Sequence, residues 1–412
     1  MRPPGTIQQE WQDGWKVVLG SVVGICFSIT HFYTLGVFLA PLAAAQGWSK
    51  SEITAAPTIL AIINFLGAAA VGRRASKLGV RKIAIPGFIA YCCALACLGF
   101  AARDLWTWYA LWLVLGMAYI WTCNNIWCIS VANRFTRSRG LALAVALCGT
   151  GITSAIAPLA ATLLIARFGW ANAYHLLGLA ALIIGLPLIW ILLPGNQAST
   201  GKGEALRRAD MASLPGYSFG QALRTPCFWI MVSSAMILGV GIPTLMVHFV
   251  SMATHDGMSA REAATAAGFI GIAAICGRLL TGFLMDVLSG RVVAAIFCAA
   301  PAIACLILLN AHGVFLAMAA AALVIGLCAG AEFDILAVLV SRYMGLREFA
   351  AINGQIAAVF GIGVGFGPAL GSLTYDHYGT YAPLLSGLAF AFLLPAALVL
   401  LLGSPAFSQA RP

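Results

Sequence analysis

Apolar residues along the chain fall into about twelve blocks, each close to the length that an α-helix needs to cross a bilayer. One long polar stretch, residues 194–224, separates the first six blocks from the last six. The pattern predicts an all-α membrane protein with twelve transmembrane helices. The blocks cover residues 16–42, 52–74, 82–102, 105–130, 140–165, 171–193, 225–252, 261–286, 291–310, 314–341, 349–374 and 381–403.

Composition supports a membrane location. Of the 412 residues, 61% are hydrophobic and 9% are charged, and the mean hydropathy is +0.95. Soluble domains carry about 25% charged residues. The net charge of +10 does not indicate nucleic-acid binding, because Lys and Arg concentrate in the loops on one side of the predicted membrane. The exceptions are Lys50, Arg103, Arg167, Arg261 and Arg278. The positive-inside rule therefore predicts a multi-pass protein of the cell (inner) membrane with both termini cytoplasmic.

Glycine, proline and arginine positions recur at a fixed spacing in the two halves. Gly72 and Gly282 lie 210 positions apart, and so do Arg81 and Arg291. Such a repeat predicts two bundles of six helices that move about a site near the membrane midplane. The predicted units are an N-terminal bundle at 1–193, a cytoplasmic linker at 194–224 and a C-terminal bundle at 225–412.

Arg278 lies inside the apolar run of residues 263–286. An arginine near the centre of a membrane helix costs about 2.5–3.5 kcal/mol on insertion scales, and such residues mark substrate pathways or ion pairs. A planar guanidinium can bind both oxygens of a carboxylate. We expect Arg278 to bind an anionic substrate. The alternative is an internal ion pair with an acidic residue of a neighbouring helix.

Two acidic residues, Glu332 and Asp334, lie in the tenth block. Positions two apart on a helix point about 200° apart, so the two cannot face the same cavity. Each is a candidate for proton coupling, with a structural pairing to Arg278 as the alternative. His248 is a candidate for proton handling or for substrate contact. The polar side chains proposed to contact the substrate are Arg278, Tyr119, His248, Tyr33, Asn125 and Gln355.

The loop GRRASKLGVRK (72–82) resembles the signature G-x-x-x-D-R-x-G-R-R of the major facilitator superfamily. Its repeat, GFLMDVLSGR (282–291), keeps the aspartate as Asp286, whereas the first copy has Ser76 there. The resemblance implies two pseudo-symmetric six-helix bundles and transport by alternating access. It also implies a gating role for the signature positions, which are Gly72, Arg81, Gly282, Asp286 and Arg291.

The string Gly277, Arg278, Gly282 and Asp286 is similar to that of bacterial monocarboxylate transporters and oxalate:formate antiporters. In both groups the resemblance implies that the arginine binds the substrate carboxylate. The antiporters add a lysine in the eleventh span, where Gln355 is the nearest polar candidate here. One fixed cation rather than two favours a monoanion.

The sequence contains no P-loop or HExxH motif, and its cysteines lack the spacing of metal sites. We therefore expect no enzyme activity, cofactor or metal. The favoured function is symport of a small organic monocarboxylate with a proton by a monomeric carrier. The alternatives are exchange of dicarboxylates or aromatic acids, a transporter-like sensor that does not transport, and multidrug export, which Arg278 disfavours. The sequence does not specify the acid or the direction of transport.

Overall fold

The computed structural model describes residues 7–101, 104–135, 138–193, 215–345 and 347–403. Most of the predicted linker, at 194–214, lies outside the described residues. Within the described ranges the chain is helical, and the β-pairing is one isolated bridge between Gly216 and Gly345. A 3₁₀ turn, Leu98–Phe100, follows α4, and a π-helical turn, Ala181–Gly185, joins α7 to α8. The α-helices are α1 (Ile7–Ser28), α2 (Thr30–Gln46), α3 (Lys50–Leu78), α4 (Val80–Cys97), α5 (Leu105–Tyr119), α6 (Asn124–Arg134), α7 (Arg139–Ala180), α8 (Leu186–Leu192), α9 (Phe219–Ala222), α10 (Pro226–His255), α11 (Ala260–Val287), α12 (Gly290–Leu309), α13 (Phe315–Met344), α14 (Phe349–Tyr378) and α15 (Ala382–Leu400).

Ten helical stretches of the described chain are long and apolar enough to cross a membrane. The predicted blocks 140–165 and 171–193 share one such stretch, Arg139–Leu192. They are separated within it by Gly169, whose φ of +79° breaks the helical path. Glycine has no Cβ and adopts this left-handed conformation at little cost. Helix α3 covers the predicted block 52–74 and is not one of the ten.

Contacts among the described residues group the chain into two compact units. The first lies within residues 1–48 and 59–201, and the second lies within residues 49–58 and 202–412. The first ten residues of this second unit, 49–58, include the start of α3, whereas the rest of that helix groups with the first unit. The bundle boundaries at 193 and 225 stay a prediction.

The helices of the first unit pack closely through glycine. A Cβ at Gly149 of α7 would overlap with the carbonyl oxygen of Val22 in α1, and one at Gly24 would overlap with the ring of Trp127. Small residues allow membrane helices to approach until their backbones touch. Buried aromatic residues make a second kind of contact, as in the stacked rings of Phe38 in α2 and Tyr174 in α7, whose centroids lie 3.8 Å apart. The two kinds of contact hold α1, α2 and α7 together.

Arg81 and Arg291, the pair 210 positions apart, make equivalent hydrogen bonds in the two units. Arg81 Nη1 donates to the carbonyl of Leu193 at 2.8 Å, and Arg291 Nη1 donates to the carbonyl of Leu402 at 3.3 Å. Both carbonyls lie at the end of the last helix of their unit. A cation at a helix C-terminus satisfies carbonyls that have no partner within the helix and interacts favourably with the helix dipole. Each arginine therefore fixes the end of a helix.

Replacing Arg81 by Ala is expected to destabilise the protein more than replacing Arg291 by Ala. Arg81 is half-buried, makes the shorter hydrogen bond and lies over the ring of Trp190 at 4.6 Å. We expect its loss to cost about 1–2 kcal/mol. Thermal unfolding of the detergent-solubilised protein, followed by tryptophan fluorescence, measures the change, with the exposed Arg224→Ala as control. Equal melting of Arg81→Ala and the control would contradict the helix-end role.

Candidate functional site

Helices α11 and α13 pack backbone against backbone through glycine. A Cβ at Gly326 would overlap with the carbonyl oxygen of Ile270, and a Cβ at Gly330 would overlap with that of Ala274. Gly277 of α11 meets the backbone of α13 in the same way. Small residues four positions apart are typical of close helix pairs in membranes. This glycine contact brings together the two helices that carry the intramembrane charges.

Arg278 and Asp334 form an ion pair across the two helices. Arg278 follows Gly277 directly, and Asp334 lies one turn after Gly330. Arg278 Nε and Asp334 Oδ2 are 3.6 Å apart, and the side chains are 11% and 37% exposed. The internal ion pair weighed as the alternative for Arg278 is therefore present in this structure.

The guanidinium of Arg278 has donors that the ion pair does not use. Its Nη1 is buried and has no hydrogen-bond partner among the described residues. Every N–H of arginine is a donor, and a buried donor without an acceptor is costly. The Nη side of the group is thus suited to bind the oxygens of a second anion.

Glu332 has different surroundings from Asp334, because it lines a cavity. It is 9% exposed, and its Oε2 lacks a hydrogen-bond partner within the described part of the chain. It lines a cavity of about 10 Å³ among α10, α12, α13 and α15, together with Ser234 and Cys298. The other lining side chains are apolar. A cavity of this size is at the lower limit for one water molecule.

His248 lies in another part of the second unit. Its ring is buried, Nε2 is 2.8 Å from the carbonyl oxygen of Pro368, and Nδ1 is 3.4 Å from the hydroxyl of Tyr381. Since a carbonyl only accepts, Nε2 is the protonated nitrogen. The hydrogen bonds of His248 include none to Arg278, Glu332 or Asp334 in the described structure. The structure therefore does not join His248 to the charged site.

Lys50 joins the surroundings of His248, and the sequence did not single it out. Its Nζ donates to Ser251 Oγ at 3.0 Å and to the Tyr381 hydroxyl at 3.2 Å. The same ammonium lies 3.4 Å from the centre of the Tyr375 ring, a cation–π contact. The sequence did hold a signal for Lys50: it lies just before an apolar block and on the side of the membrane that has few positive charges.

The remaining candidates for substrate contact differ in their surroundings. Tyr119, Tyr33 and Asn125 belong to the first unit, and Gln355 belongs to the second. Tyr119 is buried and packs edge-on against His31, with ring centroids 5.1 Å apart. Tyr33 is half-buried, and Asn125 and Gln355 are exposed. The described contacts of Tyr119 are with aromatic rings, and substrate contact by these four residues stays a prediction.

The structure describes two kinds of signature position: arginines that bind helix ends, and glycines. Among the described residues, Arg81 and Arg291 donate to the carbonyls described above. Gly72 is half-buried, and space is open where a Cβ at Gly282 would lie. The side chain of Asp286 lies outside the described residues. The gating role implied by the resemblance stays a prediction.

Replacing Gly330 by Ala is expected to disturb the charged site. The added methyl group would overlap with the backbone of α11, and overpacking typically costs about 1–3 kcal/mol. Gly282→Ala is the matched control, because it adds the same methyl group to α11 where space is open. We expect a lower melting temperature for Gly330→Ala and little change for Gly282→Ala. Equal melting of the two variants would contradict the backbone contact.

Comparison with known proteins identifies the family. Residues 21–354 match the Major Facilitator Superfamily. The chain is 22% identical to an uncharacterised MFS-type transporter, YhjX of Escherichia coli (strain K12), over 364 residues and 85% of each protein. It is 28% identical to monocarboxylate transporter 11 of Mus musculus over 289 residues, 69% of this chain and 62% of that protein. For monocarboxylate transporter 11 of Homo sapiens the identity is 28% over 299 residues, 69% of this chain and 58% of that protein. The match thus spans less than two thirds of these two monocarboxylate transporters.

These relatives are transporters rather than enzymes, and the resemblance inferred from the two signature loops is confirmed. The chain belongs to the Major Facilitator Superfamily.

Proposed function

We propose that the protein is a secondary active transporter that moves a small organic monocarboxylate together with a proton. Two bundles of six helices, at residues 1–193 and 225–412, alternate access to a site near the midplane of the cell (inner) membrane. The linker at 194–224 and both termini are cytoplasmic in this proposal, and the carrier acts as a monomer. Multidrug export of cations is disfavoured because the site holds Arg278.

The buried, unpartnered Nη1 of Arg278 is the observation that carries the proposal. Asp334 lies at Nε of the guanidinium, and Nη1 lacks an acceptor among the described residues. A carboxylate there would accept charge-assisted hydrogen bonds and satisfy the donors. Arg278 is the one cation named at this site and already pairs with Asp334, so each additional negative charge on the substrate would be harder to compensate. The geometry therefore favours a monoanion over a dianion.

The names of the relatives support the same substrate class, since two of them are monocarboxylate transporters. In this proposal Arg278 binds the carboxylate, and Tyr119, Tyr33, Asn125, His248 and Gln355 are further contacts. The proton acceptor is one of Glu332, Asp334 and His248. Exchange of one anion for another is the second candidate, and uptake measurements distinguish it from symport.

Replacing Arg278 by Lys is expected to lower the affinity for the substrate by about 10- to 100-fold, because an ammonium cannot present two parallel N–H groups to a carboxylate. The purified protein is reconstituted in liposomes with an inward proton gradient, and uptake of labelled lactate, pyruvate and benzoate is measured. Arg261→Lys is the matched control, since this exposed arginine lies in the first turn of the same helix.

Gradient-driven uptake of one acid, weakened in Arg278→Lys and kept in Arg261→Lys, supports the proposal. Uptake that ignores the gradient but needs an internal anion would indicate exchange. Absence of uptake would favour a sensor. Uptake that is unchanged in Arg278→Lys would contradict the role of the guanidinium.

A further inference from the structure

The two acidic residues of α13 differ in burial, partner and surroundings. We propose that Glu332 takes up the transported proton and that Asp334 is a positioning residue that stays ionised and orients Arg278. The assignment rests on the proposed function, because it divides the roles within the same site. It follows from geometry, and it names which carboxyl couples transport to the proton.

Asp334 has the features of a permanent counter-ion. Its carboxylate lies 3.6 Å from Arg278 Nε, and its side chain is 37% exposed. An adjacent cation stabilises the charged form of a carboxyl group. Contact at Nε also fixes the plane of the guanidinium, since the group is rigid. The unpartnered Nη1 then has a defined direction in which to bind a substrate oxygen.

Glu332 has the opposite environment. Its Oε2 is buried without a donor among the described residues, beside a small cavity with mostly apolar walls. The ionisable or charged groups that act on it are Cys298 of α12, Cys328 of its own helix and Arg278 of α11. Ser234 of α10 lines the same cavity, but its hydroxyl donates to the carbonyl of Ile230 at 2.7 Å.

An ionised carboxylate without donors is poorly solvated in such a place, whereas a protonated carboxyl is neutral. Arg278 is the only positive charge among the groups named, and it already pairs with Asp334. Glu332 is therefore the group whose charge is most easily removed by a proton when a second anion arrives next to Arg278.

The division of roles explains why substrate and proton travel together. In the empty site Arg278, Asp334 and an ionised Glu332 sum to one net negative charge. When a monoanion binds and Glu332 gains a proton, the sum is again one net negative charge. Binding the anion without the proton would add a second negative charge to a poorly solvated site, which is costly. One anion and one proton then cross together with no net charge moved.

Neutral, isosteric variants of the two acids test the assignment in proteoliposomes. We expect Glu332→Gln to lose proton-driven accumulation of the acid that the wild type carries. Exchange of labelled for unlabelled acid is expected to persist and to become independent of pH, because it needs no net movement of protons and the titrating group is gone. We expect Asp334→Asn to keep proton-driven accumulation, with a changed KM. Glu332→Asp, which restores an acid, should regain accumulation.

Accumulation that persists in Glu332→Gln would overturn the assignment, and so would its loss in Asp334→Asn with exchange intact. Loss of both transport modes in a folded Glu332→Gln protein would also overturn it. Infrared difference spectroscopy of the carboxyl C=O stretch on acidification provides a readout that needs neither substrate nor transport. All three proteins share bands from the other carboxyl groups, and we expect one further protonated-carboxyl component in wild type and Asp334→Asn that is missing in Glu332→Gln. If the wild type carries none of the acids, the proposed function fails, and the infrared result still decides which carboxyl binds a proton.

Discussion

The ion pair between Arg278 and Asp334 determines which charged groups of the second unit remain without a partner. An arginine inside an apolar helix needs a counter-charge, and Asp334, which pairs with Arg278, stands on a helix that is not its neighbour in the chain. The pair leaves part of the guanidinium without an acceptor and leaves Glu332 without a cation of its own. Arg278 pairs with Asp334 and not with Glu332, and the two acids therefore differ in how readily they bind a proton.

The glycine contact between α11 and α13 makes this pairing possible. A 3.6 Å separation between a guanidinium and the short side chain of an aspartate requires two helix axes that lie close together. Gly277, Gly326 and Gly330 provide that distance because each removes a side chain from the interface. Three glycines without charge thus determine the distance between the charged side chains of Arg278 and Asp334.

Hydropathy and length were enough to predict an all-helical chain with helices of membrane length, because the bilayer fixes both. The described residues contain ten such stretches, and the division into twelve spans stays a prediction. The cost of a buried charge was enough to identify Arg278, Glu332 and Asp334. The sequence could not show which acid faces the arginine, since that depends on how α11 and α13 rotate against each other. Nor could it show the contacts of Lys50, because the start of α3 packs with residues far along the chain. The periodic spacing of Arg81 and Arg291 suggested a loop function, whereas their described bonds go to helix ends.

The order of the helices along the chain has a consequence for biosynthesis. A ribosome completes α11 before it begins α13, so Arg278 reaches the membrane when Asp334 does not yet exist. During that interval the arginine costs about 2.5–3.5 kcal/mol without compensation from its partner. The apolar residues of α11 must offset this by themselves, at about 0.3–0.6 kcal/mol for each Leu, Ile, Phe or Val near the centre. The apolar residues of α11 therefore have to suffice for insertion before the ion pair with Asp334 can form.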